Sequence, residues 1–179
     1  MKRPLPPGIA EDHAAMIRVD HAGEYGAVRI YAGQLAVFGK RSSKAADAVR
    51  HMAQQEAEHL KRFDTLINQR RVRPTALEPV WRVAGFALGA ATALLGEKAA
   101  MACTEAVEEV IDQHYADQIE RLGDSDPELR DTVAQFRADE IAHRDTAIAH
   151  GSEEAPGYAL LTAAIKTGCR LAIALSTRI

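Results

Sequence analysis

Residues 55–63 read QEAEHLKRF, and within them Glu56 and His59 stand three positions apart, one helical turn on a single face. The same face carries Ala45, Val49, Met52, Leu60, Phe63 and Ile67, an apolar stripe at helical spacing that belongs against a core. Carboxylates and imidazoles in such a stripe are costly unless they are paired or bind a metal. The pattern recurs three times. Glu24 interrupts a stripe of Ile17, Val28, Tyr31, Leu35 and Phe38. Glu108 interrupts Met101, Thr104, Ile111, Tyr115 and Leu122, and Glu140 with His143 interrupts Leu129, Val133, Phe136 and Ala147. No segment alternates with period two, so the spacing predicts four amphipathic helices and no sheet.

An internal repeat ties the four together. Glu24 and Glu56 lie 32 positions apart, as do Glu108 and Glu140. An offset of 84 lays Glu24, Glu56 and His59 on Glu108, Glu140 and His143, and YAGQL (31–35) on YADQI (115–119). Each half then supplies one helix with a lone Glu and one with Glu-x-x-His, the ligand set of ferritin-like di-metal bundles. Imidazole with carboxylate suits iron or manganese, and no thiolate joins the set. The alternative is that the six residues form solvated faces or structural ion pairs. One Glu-x-x-His is weak evidence, whereas two in register with their partner glutamates are specific.

Outward from the repeat, GKRSS (39–43), Arg73-Pro74, Glu78-Pro79, GDSDP (123–127) and GSEEAP (151–156) divide the chain. They predict helices over 11–39, 44–70, 79–97, 99–122, 127–150 and 156–175. The 179 residues are expected to form one all-α domain: a ferritin-like di-iron four-helix bundle from an internal duplication (halves about 11–97 and 99–175), plus two extra apolar helices. Ala supplies 34 residues while aromatics make up only 5%, which favours close-packed helices over a β-sandwich. A formal net charge of −3 gives no basic excess to drive nucleic-acid binding. Cys103 and Cys169, 66 residues apart without a CxxC, read as small buried thiols of a reducing compartment. The Pro-rich start, MKRPLPP, lacks the apolar region of a secretory signal and predicts a bacterial protein or one without its organelle address.

The sequence resembles the demethoxyubiquinone hydroxylase family of quinol monooxygenases. The resembling stretches are VDHAGEYGAVRIYAGQ (19–34), QEAEHLKRF (55–63), RVRPTALEPVW (71–81), GFALGAATALLGEKAAMACTEAVEE (85–109), HYADQI (114–119) and ADEIAHRD (138–145). The resemblance implies a di-iron, O2-dependent enzyme of ubiquinone biosynthesis that hydroxylates the ring of a polyprenylated methoxy-methyl-benzoquinol. It implies Glu24 and Glu108 as terminal ligands of two Fe ions, Glu56 and Glu140 as bridges, and His59 and His143 as one imidazole for each. It also associates His114 and Tyr115 with the substrate ring and electron transfer; the residues alone equally allow Tyr115 and Tyr31 as core aromatics in need of a hydrogen-bond partner. The reductant is NADH or another donor, and no nucleotide-binding fingerprint settles it.

Around the motif, Asp112 reads either as an acceptor for a ligand imidazole or as an exposed ion-pair partner, and His13, His21, His51 and His150 as surface or capping residues. A long prenyl tail requires contact with a bilayer. Val83–Thr104 carries only Glu97 and Lys98 as charges, and Tyr158–Leu175 only Lys166 and Arg170. These runs, with Trp81, Arg82 and Lys98 beside the first, suit helices half-buried at headgroup level. The expected setting is peripheral, on the cytoplasmic face of a bacterial inner membrane or, in a eukaryote, the matrix side of the mitochondrial one. A homo-oligomer or a lipid-presenting partner protein would cover the same surfaces. The competing functions are another ferritin-like di-metal oxidase and an iron-storage ferroxidase.

Overall fold

The computed structural model describes residues 10–39 and 41–179, so the Pro-rich start falls outside the described residues. Six α-helices follow in order: α1 (Glu11–Phe38), α2 (Lys44–Arg70), α3 (Glu78–Leu94), α4 (Glu97–Leu122), α5 (Pro127–Ala149) and α6 (Tyr158–Ser176), with a 3₁₀ turn at Ser152–Glu154. No strand occurs among the described residues. Side chains and ring constraints set the ends. Ser43 caps α2 by accepting from the Ala46 amide at 3.1 Å, and Asp126 caps α5 by accepting from Leu129 at 3.1 Å, with Pro127 opening the helix. The break between α3 and α4 falls at Leu95–Gly96 rather than two residues later as expected. Gly96 has φ 117°, a conformation only glycine adopts without strain, and this overrides the helical composition on either side.

The offset of 84 extends to whole elements, since α1, α2 and α3 correspond in order and position to α4, α5 and α6. Within each half the helices pack alike: α1 against α2 and α3, and α4 against α5 and α6. The four bundle helices enclose two apolar clusters. One gathers Ile17, Phe63, Leu66, Leu122, Leu129 and Val133; the other gathers Phe38, Val49, Met52, Met101 and Ala147. Each large side chain buried this way contributes roughly 1.5–3 kcal/mol. The six ionisable residues occupy the interval between the clusters, which is why they fall in the gaps of the apolar stripes. Val28, Leu35, Leu60 and Ile111 are only half-buried, so the stripes are narrower than their sequence pattern.

The two remaining helices lie over α1 and α4. Leu88 of α3 and Leu161, Ile165 and Cys169 of α6 meet Ile30, Cys103, Ala106 and Val107 in a shared cluster. Trp81 donates to Ser176 at 2.9 Å and ties the start of α3 to the end of α6. The α1–α3 crossing is close enough that glycine is required on both sides. A Cβ on Gly33 would overlap the Phe86 carbonyl oxygen, and one on Gly89 the Ile30 carbonyl oxygen. Two expectations are corrected here. The run Val83–Thr104 is not one surface: α3 and the Leu95 that follows it leave Val83, Phe86, Leu94 and Leu95 exposed, but Ala99–Thr104 is wholly buried in α4. Cys169 is half-buried rather than buried, although burial pushes its thiol, like that of Cys103, up to about 12.

Candidate metal centre

Each bundle helix brings its ionisable residue to mid-length, and the structure assembles all six. Glu24, Glu56, His59 and Glu140 offer ligand atoms within 4.8 Å of one another, and so do Glu56, Glu108, Glu140 and His143. Glu56 and Glu140 belong to both groups. His59 Nδ1 lies 3.5 Å from Glu24 and 3.3 Å from Glu140; His143 Nδ1 lies 3.1 Å from Glu56 and 3.3 Å from Glu140. All six residues are buried.

Four carboxylates this close cannot all stay charged on their own. Burial, and then the charge of Glu140 and its neighbours, push Glu56 and Glu108 well above the usual carboxylate range. Glu24 is raised chiefly by burial. Burial opposes charge on His59 and Glu140 too, but contacts between the rings and the carboxylates outweigh it. They hold His59 up at about 10 and Glu140 down at about 2. Glu24 Oε2, Glu56 Oε1 and His59 Nδ1 are buried without a hydrogen-bond partner among the described residues. Oxygen donors with one imidazole per group, converging and unsatisfied, fit two hard or borderline divalent cations.

The surrounding contacts cross from one half to the other. Tyr31 donates to Glu108 at 2.8 Å, and Tyr115 donates to Glu24. His59 Nε2 meets Asp139 at 3.1 Å, and His143 Nε2 meets Gln55 at 3.2 Å. Tyr115 is therefore both a core aromatic and a partner of the cluster. His114 is placed differently: its Nε2 lies 3.1 Å from buried Asp20, which also accepts from Gln118 at 2.7 Å. Asp20, Glu24, His114, Tyr115, Glu140 and Ile173 line a crevice of about 20 Å³ between α1, α4 and α6.

Asp112 makes ion pairs with Arg137 at 2.6 Å and Arg144 at 3.4 Å, which leaves the imidazole-orienting places to Gln55 and Asp139. Sequence reasoning missed both, yet the signal was present, because Gln55 and Asp139 directly precede the repeated glutamates and are related by the same offset. His21 is a further correction: it is buried against Asp64 at 3.0 Å, since α1 turns that face toward α2. His51 is exposed and His150 caps α5, as expected.

Residues 11–176 match the family described as ubiquinone biosynthesis protein COQ7. The chain belongs to the COQ7 family. Among its relatives, the 3-demethoxyubiquinol 3-hydroxylase of Rhodospirillum rubrum is 58% identical over 163 residues, covering 91% of this chain and 76% of that protein. The human NADPH-dependent 3-demethoxyubiquinone 3-hydroxylase, mitochondrial, is 53% identical, covering 92% and 76%. The 5-demethoxyubiquinone hydroxylase of Saccharomyces cerevisiae, also mitochondrial, is 45% identical, covering 92% and 77%. COQ7 membership accounts for an all-helical, ferritin-like architecture over nearly the whole chain.

Proposed function

We propose that this chain is a di-iron monooxygenase that hydroxylates the ring of a polyprenylated methoxy-methyl-benzoquinol in ubiquinone biosynthesis. The observation that carries the reading is the pair of overlapping ligand groups sharing Glu56 and Glu140, in a chain whose relatives are named for this hydroxylation. Glu24 and His59 would hold one iron, Glu108 and His143 the other, with Glu56 and Glu140 between them. Two irons held there supply the reductive activation of O2 that placing one oxygen atom on the ring requires. Tyr31 and Tyr115 fix the terminal carboxylates by hydrogen bonds, while Gln55 and Asp139 fix the rings. The apolar clusters above and below keep bulk water from the cluster.

Substrate approach fits the crevice between α1, α4 and α6, where His114 and Tyr115 would stand beside the ring and relay electrons. At about 20 Å³ that crevice holds roughly one water molecule, so ring entry requires Ile173 and the adjoining part of α6 to give way. The prenyl tail would leave between the outer helices toward a bilayer. The exposed Val83, Phe86 and Leu94 of α3, Leu95 just after it, and Leu160 and Leu171 of α6 support peripheral attachment through this face. Tyr158–Ser176 is long and apolar enough to cross a membrane, with 17% of it buried. Crossing would strip Thr162 and Ile165 from α4 and break the Lys166–Glu109 pair at 2.5 Å, so lying on the surface is the better fit. Reducing equivalents would come from NADPH, as in the names of the mammalian relatives, from NADH, or from another donor.

The test is product analysis. Iron-loaded protein given a prenylated demethoxyquinol, O2 and a reductant should add one ring oxygen from the gas, and Glu140→Ala should lower iron content and abolish the product. Iron-loaded protein that consumes O2 without hydroxylating the ring would point to another di-metal oxidase. Assembly into a shell that mineralises iron would point to storage.

A further inference from the structure

The offset that relates Glu24 to Glu108 relates Gln55 to Asp139, and here the halves differ: one position is a neutral amide, the other a carboxylate. Both serve the same purpose. In each ring Nδ1 faces the buried carboxylates, so a metal held among them would take Nδ1 and leave the ring its Nε2 proton, to be donated by His59 to Asp139 at 3.1 Å and by His143 to Gln55 at 3.2 Å. A carboxylate acceptor draws that proton more strongly and makes the ring a better electron donor at Nδ1 than an amide does. The tyrosine contacts do not offset the difference, because Tyr31 on Glu108 mirrors Tyr115 on Glu24.

The charge of Asp139 is directed at His59. Its side chain is 33% exposed and lines a cleft of about 260 Å³ between α2 and α5 that also contains Gln55, His59 and Arg62. Arg62, the cation in that cleft, is held instead by Glu128 at 2.9 Å and Thr132 at 3.2 Å.

We propose that the two metal positions are inequivalent, the one served by Glu24 and His59 binding a divalent cation more tightly than the one served by Glu108 and His143. Asp139 is the positioning residue that makes the difference. The proposal rests on the reading of the six residues as ligands for two metals, and Co(II) titration of the metal-free protein separates the two ideas. Two equivalents should bind in resolved steps whose dissociation constants differ by about 10- to 100-fold. Asp139→Asn should weaken the tighter step by a similar factor and merge the two. Gln55→Glu, an independent and isosteric change, should tighten the weaker step. In the doubly exchanged protein the order should reverse. At one equivalent the paramagnetically shifted Nε2–H resonance then belongs to His143, where the wild type shows that of His59.

Two steps of equal affinity in the wild type, or steps that neither variant moves, overturn the inequivalence while leaving the di-metal centre intact. Binding of fewer than two equivalents overturns the centre and the inequivalence together.

Discussion

Tyr31 and Tyr115 show how much one hydroxyl does at this site. Removing the Tyr31 hydroxyl takes from buried Glu108 the donor that holds it among the described residues. Tyr31→Phe should therefore cost the metal-free protein about 1–3 kcal/mol, read from chemical denaturation monitored by circular dichroism. The ionisable cluster also sets a pH dependence. Glu56, Glu108 and His59 bind protons more tightly in the folded chain than at their ordinary values of 4.5 and 6.5. Their contribution is complete below those ordinary values and fades as pH rises through the folded ones, to about 10 for His59. Glu140 acts in the other direction, its contribution being present above 4.5 and lost as pH falls toward about 2. The denaturation midpoint of metal-free protein should thus fall between pH 7 and pH 10, and saturating Mn(II) should flatten the slope by replacing the protons. A midpoint indifferent to pH over that range would contradict the assignment.

Among the elements, α1 and α3 approach so closely that backbone meets backbone. Gly89→Ala should destabilise by about 1–3 kcal/mol, because the added methyl meets a carbonyl rather than a side chain that could rotate away. Gly26, on the same helix α1 but with nothing within 4 Å of a built Cβ, provides the contrast. Gly26→Ala should stabilise by about 0.5–1 kcal/mol through helix propensity alone. Thermal melts of the two variants beside the wild type check both signs. Nothing in the sequence distinguishes these glycines, since each is simply a helix weakener until the partner helix is known. Most helix boundaries and the six clustered residues were legible because their signals are local or repeated: Asp126-Pro127 joins a capping carboxylate to a ring suited to the first helical turn, and a carboxylate in an apolar stripe demands a reason. His21 and Asp112 were not legible. Whether a polar residue meets a neighbour or water depends on how α1 faces α2 and how α4 faces α5, which one helix's periodicity does not encode.

For the molecule as a whole, the apolar surface is concentrated on the outer pair of helices. Leu94 and Leu160 are 75% and 80% exposed, so replacing both with Glu should leave the fold within about 0.5 kcal/mol of wild type. Flotation with phospholipid vesicles should then drop severalfold, whereas high salt alone should release little of the wild-type protein; unchanged flotation of the double variant would remove this face as the attachment surface. The crossed tyrosines carry a different consequence. Because each one completes the carboxylate of the opposite half, neither α1–α3 nor α4–α6 is self-sufficient. Severed at Gly96 and expressed apart, the two fragments would each be defective, and only their complementation in one mixture would restore the whole.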